Sequence, residues 1–237
     1  MKGPVIATLP SRAVLALATT GALAADAIHS LSQPLGVIGL AVYNMQSHAQ
    51  SAAAGLDYLR TTLATTEDQI DKAIDLIRGF QGLRARLLAA AAPAPLVATV
   101  EQAIALCRPA LESSNLDAAS AFDGVSGLEV SDGPLALAIG INMILYATAA
   151  LPVGDQGKPP AHKRLRLVCS RAVDQATVVL QAAIGVAGFQ DLARNSDRMQ
   201  VHAEIIAALA THAKASFSLT ATQNADAIVA VSLPCRP

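Results

Sequence analysis

The 237-residue chain has no tryptophan and few aromatic residues of any kind. That scarcity, set against alanine as its commonest residue, favours closely packed helices over an all-β design. Charge is scarce as well: Asp, Glu, Lys and Arg make up 15% of the residues and the formal net charge is −1. So even a balance excludes wholesale attraction to nucleic acid or to an acidic membrane face. The three cysteines, Cys107, Cys169 and Cys235, are odd in number and far apart. They have no metal-ligand spacing and form no disulfide framework, a usage that fits a reducing cytoplasm. No run of eighteen apolar residues occurs, so no spanning helix is expected although 53% of the residues are hydrophobic.

The first ninety residues carry helical periodicity. Ile28, Leu31, Leu35, Ile38, Val42 and Met45 form a heptad seam. His29 stands beside that seam, which predicts a ring at the surface of a helical bundle. Pro34 removes one backbone hydrogen bond and is expected to bend the helix. A second seam runs through Ile70, Ala73, Ile77 and Phe80, widened by Ile74 and Leu83. Thr66 and Gln69 in "TEDQ" read as a capping box opening that helix. Two antiparallel helices with stripes this wide predict a four-helix bundle made by two chains.

The pattern changes after "AAAAPAP" (89–95), which reads as a linker. Residues 96–112 are expected to be helical with a break at Pro109, and 135–151 a helix buried on all sides. "RLRLVCSRA" and "ATVVLQAAIGV" read as strands and 198–212 as a helix, before two closing strands with a turn at Asn224–Asp226. "KPPAHKRLR" (158–166) reads as a solvated basic loop. His48, His162, His202 and His212 are assigned to the surface or to interfaces, and Asp132, Asp155 and Asp174 to turns. Asn142, on the buried helix, reads as a satisfied polar group rather than a metal ligand.

At the N-terminus a rival reading stands. Early basic residues, the apolar stretch 14–24 and Ala22-Leu23-Ala24 match the outline of a secretory signal, which would make the protein periplasmic.

The word His29-Ser30-Leu31-Ser32-Gln33-Pro34-Leu35 resembles the H-box of bacterial sensor histidine kinases, usually H-E-L-x-Q-P-L. "DQIDKAIDLIRGFQGLRA" (68–85) resembles the second helix of their dimerisation and phosphotransfer domain. "DGPLALAIGINMILYATAAL" (132–151) is similar to their N-box helix, and residues 199–234 to the run from the lid-side helix to the last strand. The resemblance implies an α+β chain: an N-terminal extension (1–12), a helical hairpin forming a dimeric four-helix bundle (13–91), and a degenerate histidine-kinase-type ATPase α/β sandwich (96–237).

Departures from the family pattern then shape the expected function. Ser30 stands where the family has an acidic residue that assists proton removal, and a hydroxyl is a poor base at neutral pH. Asn142 matches the first N-box asparagine, but Tyr146 aligns with the second, a magnesium-holding position. "AAIGVAG" (182–188) lacks the aspartate of D-x-G-x-G, "LARNSDRMQ" (192–200) lacks the lid glycines, and His212-Ala213-Lys214 replaces H-G-G. Lid glycines let backbone N–H groups close on phosphates.

The resemblance with these losses implies a cytoplasmic, dimeric histidine phosphotransfer protein. His29 is the expected catalytic residue, with Ser30, Ser32, Gln33 and Pro34 supporting it or docking the partner. Asn142 is the remnant of a nucleotide site. Receiver domains of response regulators or hybrid kinases are the expected partners, and they bring the Mg²⁺. The chain itself is expected to hold no cofactor or metal, to lack a working ATP site and autokinase activity, to bind no nucleic acid and to have no membrane span. The alternatives are a kinase with a divergent ATP site and a non-catalytic dimeric regulator.

Overall fold

The computed structural model describes residues 11–49, 56–149, 163–171, 177–185, 196–221 and 226–236. Two long helices come first, α1 (Arg12–Ala49) and α2 (Leu56–Leu87). They run antiparallel: the rings of His48 and Tyr58 lie 4.3 Å apart at one end, while Leu23 and Leu83 line the same wall at the other. α2 begins ten residues before the expected capping box, so "TEDQ" lies inside a helix. Thr66 Oγ1 donates to the Thr62 carbonyl (2.8 Å) rather than capping a helix end, and Gln69 donates to Asp68. Thr61, Thr62 and Thr65 bond back in the same way to carbonyls four residues earlier, which occupies hydroxyls that would otherwise compete with the helix backbone.

The seam residues are not all core within one chain. Ile28 and Leu35 are 64% and 58% exposed, and Val42, Ile70 and Ile77 are exposed too. The side of α1 buried within the chain passes instead through Leu23, Pro34 and Ala41, with Ala73 and Leu83 on α2. Each helix therefore carries two neighbouring apolar stripes, one closed and one open. Pro34 is accommodated on the closed side, and α1 continues through it to Ala49.

Beyond α2, β1 (Ala94–Pro95) leads into α3 (Leu96–Leu106) and α4 (Arg108–Ser113). The break at Cys107 follows from Pro109, which has no N–H to offer the Ala105 carbonyl. β2 (Leu116–Asp123) and β3 (Glu129–Val130) flank a turn in which Gly124 and Gly127 take φ of +64° and +78°, values that favour glycine. Then come α5 (Gly133–Ala149), β4 (Lys163–Arg171), β5 (Thr177–Gly185), α6 (Ser196–His212), β6 (Ser216–Ala221) and β7 (Asp226–Arg236). Lys163–Arg166, from the expected basic loop, opens β4; the rest of that loop, Asp155, His162, Asp174 and the turn residues 224–225 lie outside the described residues.

Among the described residues the strands form a seven-stranded mixed sheet in the order β1-β3-β7-β5-β4-β2, with β6 also on β7. β2 pairs parallel with β4 and the other pairs are antiparallel. Alternation puts Leu165, Leu167 and Cys169 of β4, and Val229, Val231 and Leu233 of β7, in the core beneath α5. α5 is buried nearly all round, as its unbroken apolar run requires. Gly133 opens α5 hard against the β1 segment: its N–H reaches the Ala92 carbonyl (2.8 Å), and a Cβ there would collide with Ala94. No helix among the described residues is long and apolar enough to cross a membrane.

Residues 12–23, assigned above to the helical hairpin and its N-terminal extension, pack on the sheet-bearing body. Leu15, Ala16 and Leu23 join the same core as α5 and α6. Ala22-Leu23-Ala24, where that segment ends, lies within α1.

Burial pushes the Cys169 thiol up to about 12. The folded state therefore holds a proton that the unfolded chain releases above about pH 9, so stability should fall as pH rises from 9 towards 12. The loss from this one group is expected to reach ~1.4 kcal/mol one pH unit above the unfolded pKa. Urea titrations of wild type and Cys169→Ala at pH 8 and pH 10 check it: the variant should show the smaller drop, and parallel drops would refute the assignment.

Candidate functional site

α1 carries the whole H-box-like segment. The side chains of His29 and Ser30 lie outside the described residues. Ser32 is exposed, and its hydroxyl donates to the Ile28 carbonyl (2.8 Å). Gln33 is exposed and Pro34 buried. Both line a cleft of about 870 Å³ between the helical pair and the α3–α4 corner. Its walls include Val37 on α1, Leu76 and Phe80 on α2, and Leu106 before the α3–α4 break, with Lys72, Asp75, Arg108 and Glu112 among its polar lining residues. An apolar interior with mixed charge suits a folded protein surface or an amphipathic element better than a small anion.

A second polar constellation lies inside the molecule. Asn142, midway along α5, and Thr19, on α1, are both fully buried. Asn142 Nδ2 donates to Thr19 Oγ1 (2.8 Å) and to the Ala138 carbonyl (2.9 Å), which uses both of its hydrogens. Thr19 Oγ1 passes its own proton to the Leu15 carbonyl (2.9 Å). Asn142 Oδ1 faces His202 Nδ1 of α6 at 3.2 Å. An amide oxygen can only accept, so that ring nitrogen carries the proton. No buried side-chain nitrogen or oxygen among the described residues is left without a partner.

This network confirms Asn142 as a satisfied polar group and corrects His202, assigned above to the surface or an interface. His202, Ile206, Leu209 and Ala210 are buried together at spacings of four, three and one, the inner face of α6. That apolar stripe was the signal which could have placed the histidine inside. Asp132 also does more than turn the chain. Its Oδ1 accepts the Leu135 N–H (3.1 Å) at the start of α5, while both carboxylate oxygens hold Arg12, at 2.8 and 2.9 Å. Arg12 sits in the first turn of α1, where a cation opposes the helix dipole, so the ion pair accounts for its position.

Tyr146, one turn beyond Asn142, is buried, and burial pushes its phenol above the ordinary range. His212, Ala213 and Lys214 close α6, with Lys214 in the left-handed region at φ +53°. Glycine would occupy that conformation without strain. Residues 186–195, which span the end of the "AAIGVAG" word and the start of the expected lid, lie outside the described residues. No group of three or more His, Cys, Asp or Glu side chains among the described residues could hold a metal ion.

No protein-family model matches the chain, and no curated protein matches it. Solved structures do. The likeness is to bacterial histidine kinases. The AdeS histidine kinase of Acinetobacter baumannii shares 14% identity over 87% of this chain and 97% of its own, with a TM-score of 0.41. A histidine kinase of Burkholderia phymatum shares 12% identity over 91% and 97%, with a TM-score of 0.48. A structure described as a bacterial phosphotransferase shares 14% identity over 91% and 96%, with a TM-score of 0.49.

Replacing Asn142 with leucine keeps the bulk of the side chain but removes one partner each from Thr19 and His202. Asn142→Leu is expected to lower unfolding free energy by about 1–3 kcal/mol, the cost of leaving a buried donor unmade. Chemical denaturation monitored by circular dichroism measures it; an unchanged midpoint would show that the network contributes nothing.

Proposed function

We propose that the protein is a dimeric histidine phosphotransfer protein of a two-component phosphorelay. His29 takes a phosphoryl group from the aspartyl phosphate of one receiver domain and delivers it to the aspartate of another. A neutral imidazole is nucleophilic near pH 7 because its ordinary pKa is about 6.5. Its unprotonated ring nitrogen attacks phosphorus; the N–P bond forms as the P–O bond to the aspartate breaks. The aspartate leaves as a carboxylate, and the other ring nitrogen keeps its proton. Such transfer depends chiefly on positioning and charge compensation, and the receiver's own Mg²⁺ supplies the latter.

The observation that carries this reading is a contrast within one chain. The H-box-like segment places Gln33 and Pro34 on an open cleft, whereas the N-box-like Asn142 is withdrawn into a buried network with Thr19, Ala138 and His202. With no exposed atom, Asn142 does not fit a role beside nucleotide-bound magnesium, and we infer that autophosphorylation from ATP has been lost. The open stripe of Ile28, Leu35, Val42, Ile70 and Ile77 supports a second copy of the chain as its cover. Ser32, Gln33 and the cleft walls would then meet the receiver, with Ser30 beside the phosphoacceptor. A cytoplasmic location follows from the proposed partners.

Wild type and His29→Ala should be incubated separately with labelled ATP and Mg²⁺ and with receiver domains charged by labelled acetyl phosphate. Acid-labile label is expected on wild type from receivers alone and on His29→Ala from neither donor. Labelling of His29 by ATP would support the kinase alternative, and transfer through His29→Ala would overturn the assignment of that residue.

A further inference from the structure

The N-terminal turns of α1 belong to two parts of the molecule at once. Their buried side chains, Leu15, Ala16, Thr19 and Leu23, pack against the body, while the same helix goes on to carry the residues lining the cleft. Two polar ties fix it there. Arg12 pairs with Asp132 at the start of α5, and Thr19, seven residues further along α1, bonds Asn142 in the middle of α5. Through Asn142 the second tie extends to His202 on α6. An apolar stripe alone would tolerate sliding by a turn. A fully buried amide would not, because any other register takes the Thr19 oxygen away from one Asn142 N–H and leaves that donor unpaired.

Leu23, one turn beyond Thr19, lies in the core and also lines the cleft. The register of α1 on α5 therefore sets where Gln33 and Pro34 stand relative to Arg108 and Glu112. We propose that Arg12–Asp132 and Thr19–Asn142–His202 form a register lock, holding the body at one position along the phosphoacceptor helix so that a docking receiver meets α4 and the helical pair together. This rests on reading His29 as the phosphoacceptor. Arg12, Thr19 and Asn142 are positioning residues, none of which touches the transferred group.

The test uses the full chain and two phosphodonors. Phosphoramidate is small enough to need no docking: the imidazole nitrogen attacks phosphorus, the bond to nitrogen breaks and ammonia leaves. It reports the reactivity of His29 alone. A phosphorylated receiver that labels wild type reports docking as well. Thr19→Val removes the hydroxyl at constant shape, Thr19→Ser restores it, and Arg12→Met removes the ion pair while keeping an unbranched stem.

In Thr19→Val, labelling by phosphoramidate should stay within about twofold of wild type while KM for the receiver rises ~tenfold, the factor for one hydrogen bond's worth of free energy. Thr19→Ser should return KM towards wild type, and Arg12→Met should raise it in the same direction. Loss that is equal with both donors and tracks the folded fraction would overturn the lock in favour of a merely structural role, as would an unchanged KM. If neither donor labels wild type, the phosphoacceptor reading fails and the lock falls with it.

Discussion

Burying an uncharged amide between three helices is costly unless every donor finds an acceptor. Asn142 meets that condition with groups from its own helix, from α1 and from α6. The rest of the architecture follows from that constraint. α5 can lie at the centre of the core, apolar along most of its length, because its fully buried amide is answered. α1 cannot be only one arm of a protruding helical pair, because its N-terminal turns supply part of the answer. The Arg12–Asp132 pair then fastens the beginning of α1 to the beginning of α5, so a single helix is clamped to the body before it leaves it.

That clamping changes how the molecule divides. The helical pair and the sheet-bearing body meet through the chain that follows α2, and again through residues 12–23 of α1. Two connections at separate points restrict swivelling far more than one. The cleft between the parts is consequently a built feature, with walls from α1, α2 and the α3–α4 corner. For the phosphate relay proposed above, a fixed cleft would be an asset, because transfer gains most of its rate from holding reacting atoms in line.

Much of this was legible in the residues. Periodicity placed the helices, the β-branched runs placed β4 and β5, and Pro109 marked the break between α3 and α4. Local pattern reports which face of an element is buried, however, not what lies against it. Leu15, Thr19 and Leu23 recur every four residues whether they face a partner helix or a sheet-bearing body, so their true neighbour was missed. "TEDQ" has the composition of a helix start, but the threonines before it satisfy their own hydroxyls on helical carbonyls and the helix runs on. His202 was misplaced because a polar residue on an apolar stripe looks like an edge until its partner is known. Ile28, Leu35 and Ile77 belong to stripes read as too wide for one hairpin to bury, and within one chain they are open.

The central claim is that the amide of Asn142 is committed to the protein's own helices. Side-chain amide NMR on selectively ¹⁵N-asparagine-labelled protein tests it most directly, with Asn142→Leu assigning the resonance pair. Committed hydrogens should exchange slowly with solvent and keep their shifts when Mg²⁺ and ATP are added. A pair that exchanges as fast as a surface asparagine, or that moves on adding nucleotide, would contradict the account.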